Sequence, residues 1–275
     1  MPDTLVQLTG VTLTRGARTV LDSVDLAVGP GERVALLGVN GSGKTSLLHA
    51  IAGLLPTAAV TGTITLDGHD ALRLRARDRA RLLSYVSQES PLAAGWRARE
   101  LVELGRIPWR DLLGRDRPGT GELLTEAHRA ARITHLVDRR MDQLSGGERR
   151  RVLLARGYAQ AARVLLLDEP LAHLDLGQAT AVLTGASRQA ALRDGCVVAA
   201  LHDPTQALAW ATRVVLVANG VVLADGSPED VMTEANLAAC YGVEVELLRR
   251  GDGQVAAVLA RGRPDLLQPR RQRLR

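Results

Sequence analysis

The 275-residue chain is 46% hydrophobic and 24% charged, which excludes a disordered or low-complexity protein and leaves an ordinary globular one, built as one large domain or two smaller ones. Its two cysteines, Cys196 and Cys240, exclude a disulfide framework, and no stretch approaches the roughly 20 apolar residues that span a bilayer. The net charge of +5 sits at one end: residues 261–275 carry six arginines against Asp265, while the other 260 residues balance 29 basic against 29 acidic. That tail reads as a solvated end or as a patch for nucleic acid or an anionic membrane surface. Met1-Pro2-Asp3-Thr4 lacks the basic flank and apolar core of a secretory signal, so a cytoplasmic location is expected.

In chain order, the apolar pieces Leu5–Leu8, Val11–Leu13 and Val24–Val28, separated by turn formers, predict antiparallel strands. After the turn Gly29-Pro30-Gly31-Glu32, Arg33–Leu37 reads as a buried strand and Thr45–Leu55 as a helix stopped by Pro56. Thr63–Leu66 predicts a further strand turned at Asp67-Gly68, Arg73–Leu83 an arginine-rich helix, and Ser84–Ser87 a short strand ending at Gln88. The next 70 or so residues change character, with helices over Glu100–Leu104 and Glu122–Ile133 between Gly/Pro-rich loops, and read as a helical insertion. Glu148–Gln160 predicts a helix, Val164–Leu167 and Cys196–Leu201 buried strands, and Val214–Val217 with Val221–Ala224 a hairpin on Asn219-Gly220. A helix near Pro228–Met232 and a strand near Val243–Leu247 precede the tail. Strands alternating with helices predict an α/β fold with a mainly parallel sheet.

Between the predicted strand at 33–37 and the predicted helix lie Gly38-Val39-Asn40-Gly41-Ser42-Gly43-Lys44-Thr45, which fit G-x-x-x-x-G-K-[ST] in the context that phosphate loop requires. Glycines at 38, 41 and 43 let backbone N–H groups of Asn40, Ser42 and their neighbours turn toward phosphate oxygens, and the helix start around Thr45 and Ser46 adds its positive end. Lys44 is the sole lysine among 35 basic residues. It is placed to reach the β- and γ-phosphates, with the Thr45 hydroxyl on Mg²⁺. Asp168-Glu169 at the end of an apolar strand offers one carboxylate to hold Mg²⁺ opposite Thr45 and one to polarise a water; the plainer reading is two acids starting a surface loop. Leu144-Ser145-Gly146-Gly147-Glu148 offers a second anion site of backbone N–H groups, or simply a helix start capped by Ser145.

Taken together, the phosphate loop, Gln88, LSGGE, Asp168-Glu169-Pro170, Asp175 and His202, in that order over residues 38–202, resemble the ATP-binding cassette (ABC) ATPases. The resemblance covers about residues 4–247. It implies a P-loop NTPase fold with a RecA-like core, an N-terminal antiparallel β subdomain, a helical subdomain at about 89–163, and a C-terminal extension over 248–275. It also implies roles: Gln88 as a sensor near Mg²⁺ and water, Glu169 as the water-polarising carboxylate, His202 as the switch histidine on the γ-phosphate, and Asp175 in the D-loop. Two cassettes of the family meet head to tail, so Ser145, Gly146 and Gly147 of one copy are expected on the ATP held by Lys44 of the other. Where the family stacks adenine on an aromatic, this chain has Arg15, whose guanidinium can stack on a base instead. Leu171 also replaces the usual Thr or Ser.

Val102-Glu103-Leu104-Gly105-Arg106-Ile107-Pro108-Trp109 resembles the V-x-x-G-R-x-P-H stretch of the importers for ferric siderophores, haem and vitamin B12, with Trp109 in place of His. The resemblance therefore implies a peripheral ATPase on the cytoplasmic face of the membrane, paired with a second ATPase subunit in a homodimer. It further implies transmembrane permease subunits as partners, a solute-binding protein acting indirectly, and no nucleic acid. A cassette for another solute, a non-transport cassette acting on nucleic acid or ribosomes, and a nucleotide-binding regulator without turnover are the alternative readings.

Overall fold

The computed structural model describes residues 4–88, 95–172, 174–251 and 253–261. Most of the arginine-rich tail, residues 262–275, lies outside them. The chain begins with strands β1 (Val6–Arg15), β2 (Arg18–Val28) and β3 (Arg33–Leu37), then helix α1 (Lys44–Ile51), β4 (Val60–Leu66), β5 (His69–Asp70), α2 (Ala76–Leu82) and β6 (Leu83–Val86). A helical segment follows, with α3 (Ala98–Glu103), α4 (Thr120–Ala130) and α5 (Gly146–Ala159). The chain then alternates through β7 (Val164–Asp168), α6 (Leu176–Ala191), β8 (Cys196–Ala200), α7 (Pro204–Trp210), β9 (Arg213–Ala218) and β10 (Val221–Gly226). It closes with α8 (Pro228–Val231), α9 (Glu234–Tyr241), β11 (Val245–Arg249) and β12 (Val255–Ala260).

A six-stranded sheet in the order β10-β9-β3-β8-β7-β6 is parallel throughout except for β10. Because side chains alternate across a strand, its apolar runs divide between two cores. Val34 and Leu36, Val164 and Leu166, and Cys196 and Val198 pack with α1 and the N-terminal sheet. Ala35 and Leu37, Leu165 and Leu167, and Val197 and Ala199 pack with the helical segment and α6. The N-terminal sheet, β2-β1-β4-β5, is antiparallel.

The structure lengthens the expected N-terminal strands. Leu5–Leu8 and Val11–Leu13 fuse into β1, because Thr9-Gly10 forms an irregular step in the pairing rather than a turn, with Gly10 N donating to Asp25 Oδ1 at 2.8 Å. Asn219 and Gly220, at φ 51° and 81°, make the two-residue hairpin that their sequence predicts. Helices α6, α7 and α9 and strand β12 have no counterpart in the sequence reading. β11 runs across the expected 247/248 boundary and pairs with β12, which seats on α7 through Val258 N and Thr205 Oγ1, 3.3 Å apart. Trp109 sits with Arg81, Arg106 and Arg117 each 5.6–5.7 Å from its ring centre and donates from Nε1 to Gln160 O, fastening the turn after α3 to the end of α5.

Candidate functional site

The central strand β3 delivers the glycine loop to the carboxyl end of the parallel sheet, where open α/β sheets bind ligands. Two glycines there are demanded by geometry. A Cβ on Gly38 would lie 2.1 Å from Val217 O, and Gly43, at φ 114°, has room for none beside Leu21. Lys44 begins α1 and is 5% exposed; its Nζ donates to Gly38 O at 2.7 Å and Val39 O at 3.1 Å. An ammonium has three donors, so one stays available. Burial lowers the Lys44 pKa, and the carboxylates of Glu169 and Asp168 oppose that shift. Ser42 Oγ is buried without a hydrogen-bond partner, an unmet polar atom inside the loop.

Asp168 ends β7 beside β3's neighbour β8 and is 3% exposed. Both its oxygens accept from hydroxyls: Oδ1 from Thr45 at 3.1 Å and Oδ2 from Tyr85 at 3.0 Å. His49 Nε2 lies 2.9 Å from the same Tyr85 hydroxyl. Burial first, and then Asp168, pushes the Tyr85 phenol well above its usual range. Burial also lowers the pKa of His49. The next residue, Glu169, holds a left-handed backbone at φ 47°, which is uncommon for a side-chain-bearing residue, and its Oε1 lies 2.7 Å from His202 Nε2. His202 follows β8, so neighbouring strand ends bring the pair together.

Of these groups Lys44, Thr45 and Glu169 border an open cleft of about 500 Å³, while His202 lines a separate pocket that shares Glu169 with it. Arg15, Arg18 and Val20 line it from the β1–β2 hairpin, Asn40, Gly41, Gly43, Lys44, Thr45 and Ser46 from the loop and α1, and Gln88 and Glu169 from beyond β6 and β7. Gly38, Ser42 and Asp168 lie buried beneath it. The donor set of Thr45, Asp168 and Gln88 suits Mg²⁺, which prefers a few hard oxygens from protein and takes the rest from phosphates and water. Besides His202, four sequence-predicted residues lie elsewhere. Ser145 caps α5, with its hydroxyl accepting from Glu148 N and its own N–H donating to Glu148 Oε2, and Gly146 and Gly147 form the first turn. Asp175 caps α6 by accepting from Gln178 N at 2.8 Å. None of the four lines the cleft of its own chain.

Sequence reasoning missed Arg18, His49, Tyr85 and Arg150. His49 falls four residues after Thr45 and so shares its helix face, a signal present in the spacing. Arg18 faces Arg15 directly across the hairpin, which only the strand register reveals.

The family model described as "ABC transporter" matches residues 21–172. A hemin import ATP-binding protein of Nocardia farcinica is 46% identical over 233 residues, covering 84% of this chain and 79% of that protein. One from Rhodococcus jostii is 38% identical, covering 92% and 85%, and one from Burkholderia pseudomallei 37% identical, covering 90% and 96%. Among solved structures, an ABC transporter in an inward-facing conformation superposes with a TM-score of 0.78 at 23% identity, covering 96% of this chain and 100% of that one. A dimeric ATP-binding cassette in a post-hydrolysis state with ADP and Pi superposes with a TM-score of 0.71 at 25% identity, covering 81% and 98%. The glycine loop, the carboxylate pair and the fold around them thus carry a family identity: the chain belongs to the ABC transporter family, as an ATP-hydrolysing subunit.

Proposed function

We propose that this chain is the energy-coupling ATPase of a haem importer and works as a pair of identical copies. The observation that carries the reading is the gathering of Lys44, Thr45 and Glu169 at one cleft, with Asp168 bonded to Thr45 and His202 paired with Glu169, while Ser145–Gly147 stands outside it. The free N–H of Lys44 and the loop amides hold the triphosphate of ATP. Thr45, Asp168 and Gln88 would hold Mg²⁺, which when bound would neutralise charge on the phosphate oxygens. Glu169 accepts a proton from the water that attacks the γ-phosphorus as the bond to ADP breaks. His202 keeps that carboxylate oriented and contacts the γ-phosphate. Arg15 stacks its guanidinium on the adenine, with Arg18 beside it.

Ser145 and Gly147 of one copy complete the site of the other, with Asp175 at the junction. Separate permease subunits pair with the helical segment, where Ile107, Leu112 and Leu113 are 51%, 96% and 73% exposed. No helix among the described residues is long and apolar enough to cross a membrane, which agrees with a peripheral place on the membrane's cytoplasmic face. Haem as the solute is supported by the names of the relatives, while the Gly105-Arg106-Ile107-Pro108 stretch fits the wider siderophore, haem and vitamin B12 group. Copurification with its membrane subunits, followed by ATPase assay in vesicles, tests it. Haem with its binding protein should stimulate turnover, whereas stimulation only by a ferric siderophore or cobalamin would reassign the solute.

A further inference from the structure

Three arginines, Arg149, Arg150 and Arg151, follow the first turn of α5, and successive helix positions point about 100° apart, so they cannot share an environment. Arg149 is exposed, while Arg150 is 5% exposed. No carboxylate pairs with Arg150 among the described residues. Its guanidinium instead gathers four backbone carbonyls. One terminal nitrogen donates to Ser87 O and Gln88 O, the latter at 2.6 Å, and the other to Asp168 O and to Glu169 O at 2.7 Å. Burying a cation is costly unless its donors are satisfied; only Nε is left unpaired here, and the carboxylates of Asp168 and Glu169 act on the charge without bonding to it. The fork geometry of arginine suits the task, because β6 and β7 are neighbours and both chains leave the sheet at this point.

The bonds hold backbone that leaves the ends of two neighbouring strands. Glu169 occupies a left-handed backbone, a conformation that is strained for a non-glycine residue and persists where its surroundings over-determine it. Its N–H donates to Ala200 O at 3.2 Å, and its carbonyl accepts from Ala172 N at 3.3 Å and from Arg150 at 2.7 Å. The same side chain grips the backbone of Gln88, on the other rim of the cleft. Along α5, Arg150 stands five residues after Ser145, about 7.5 Å at the helical rise.

We propose that Arg150 is a positioning residue for hydrolysis, fixing the backbones of Glu169 and Gln88 relative to each other and to the turn that carries Ser145–Gly147. The inference rests on the reading of Glu169 as the water-orienting carboxylate. Contact of a second copy with the first turn of α5 then reaches Glu169 through one side chain.

The test compares full-length Arg150→Gln and Arg150→Lys with wild type. In Arg150→Gln, kcat should fall about 10²-fold, as expected for a misplaced reacting group, with KM and Mg²⁺-ATP affinity within about threefold. Arg150→Lys, which keeps the charge but not the fork, should lie between. Adding Glu169→Gln to Arg150→Gln should cost little more than Glu169→Gln alone, because both act on one step. Wild-type kcat with only a lowered melting temperature would overturn the proposal, as would fully multiplicative losses in the double variant, or failure of both single variants to fold. Glu169→Gln by itself separates the two claims. If it retains wild-type turnover, the role of Glu169 fails; if it is inactive while both Arg150 variants turn over normally, only the positioning role fails.

Discussion

The cleft at Lys44 and the first turn of α5 are both collections of backbone N–H groups at a helix start, yet they are built in opposite ways. At the cleft, the groups that would meet a nucleotide are already paired with one another. Lys44 rests on loop carbonyls, Thr45 and Tyr85 on Asp168, and His202 on Glu169. Around Ser145 the side chains are spent on capping: the hydroxyl takes the Glu148 N–H, and the amides of Gly146 and Gly147, like those of any first turn, have no partner within the helix. One region is preorganised and concave. The other is exposed and takes its meaning from what is pressed against it. Two halves of such different construction make sense if each copy supplies one half of a shared site.

Breaking either half should give a distinct loss. Lys44→Ala removes the one cation set into the loop; ATP turnover should fall by about 10³-fold or more and nucleotide binding should be lost with it. Undiminished hydrolysis would remove the cleft from the mechanism. Ser145→Arg, placed on the exposed turn, should reduce turnover by about 10²-fold while ATP binding to the isolated chain stays near wild type. Equal loss of binding would mean that this turn already belongs to the cleft of its own chain.

The base end sharpens the comparison on a smaller scale. Arg15 and Arg18 face each other across the hairpin, and neither has an ion pair among the described residues. Like charges directly opposite on a sheet repel, so a flat π surface between them is welcome. Arg15→Ala should weaken ATP binding by only about 3- to 5-fold, the worth of an exposed cation–π contact, with kcat unchanged. An equilibrium titration with a fluorescent nucleotide measures it, and a loss as large as that of Lys44→Ala would refute the division into a strong phosphate end and a weak base end.

The smallest effect concerns the core behind β3. Burial pushes the Cys196 thiol up to about 12, so the folded chain keeps it protonated where an unfolded thiol ionises. The unfolded state therefore binds fewer protons above about pH 8.5, and this group's contribution to stability is lost as pH rises from there toward about 12. Cys196→Ser should flatten the alkaline fall in urea midpoint slightly. A fall of unchanged slope would show that the thiol does not contribute.

How much of this was legible in the sequence depended on whether a residue's role is local. The phosphate loop and the Ser145 helix cap show in a short stretch because each depends on near neighbours, the Asp168-Glu169 pair gained its reading only beside the phosphate loop, and strands such as Arg33–Leu37 follow from unbroken apolar runs bounded by turn residues. Helix α6 did not show, because Gly177, Thr180, Thr184 and Gly185 dilute its periodicity, although Asp175 caps it. Tyr85 and Arg150 were invisible for a different reason. Tyr85 meets Asp168 83 positions away, and Arg150 meets Ser87 63 positions away, through sheet neighbours that no short window contains. Arg150 moreover sits in an arginine run that reads as a solvated face.

The shared site is tested most directly by the mass of the Glu169→Gln chain in solution, measured by light scattering with and without Mg²⁺-ATP. The shared-site account predicts one chain, 29.4 kDa, without nucleotide and twice that mass with it, and no doubling when Ser145→Arg is added. A chain that binds ATP yet stays at 29.4 kDa, or doubles equally well with Ser145→Arg present, would contradict it.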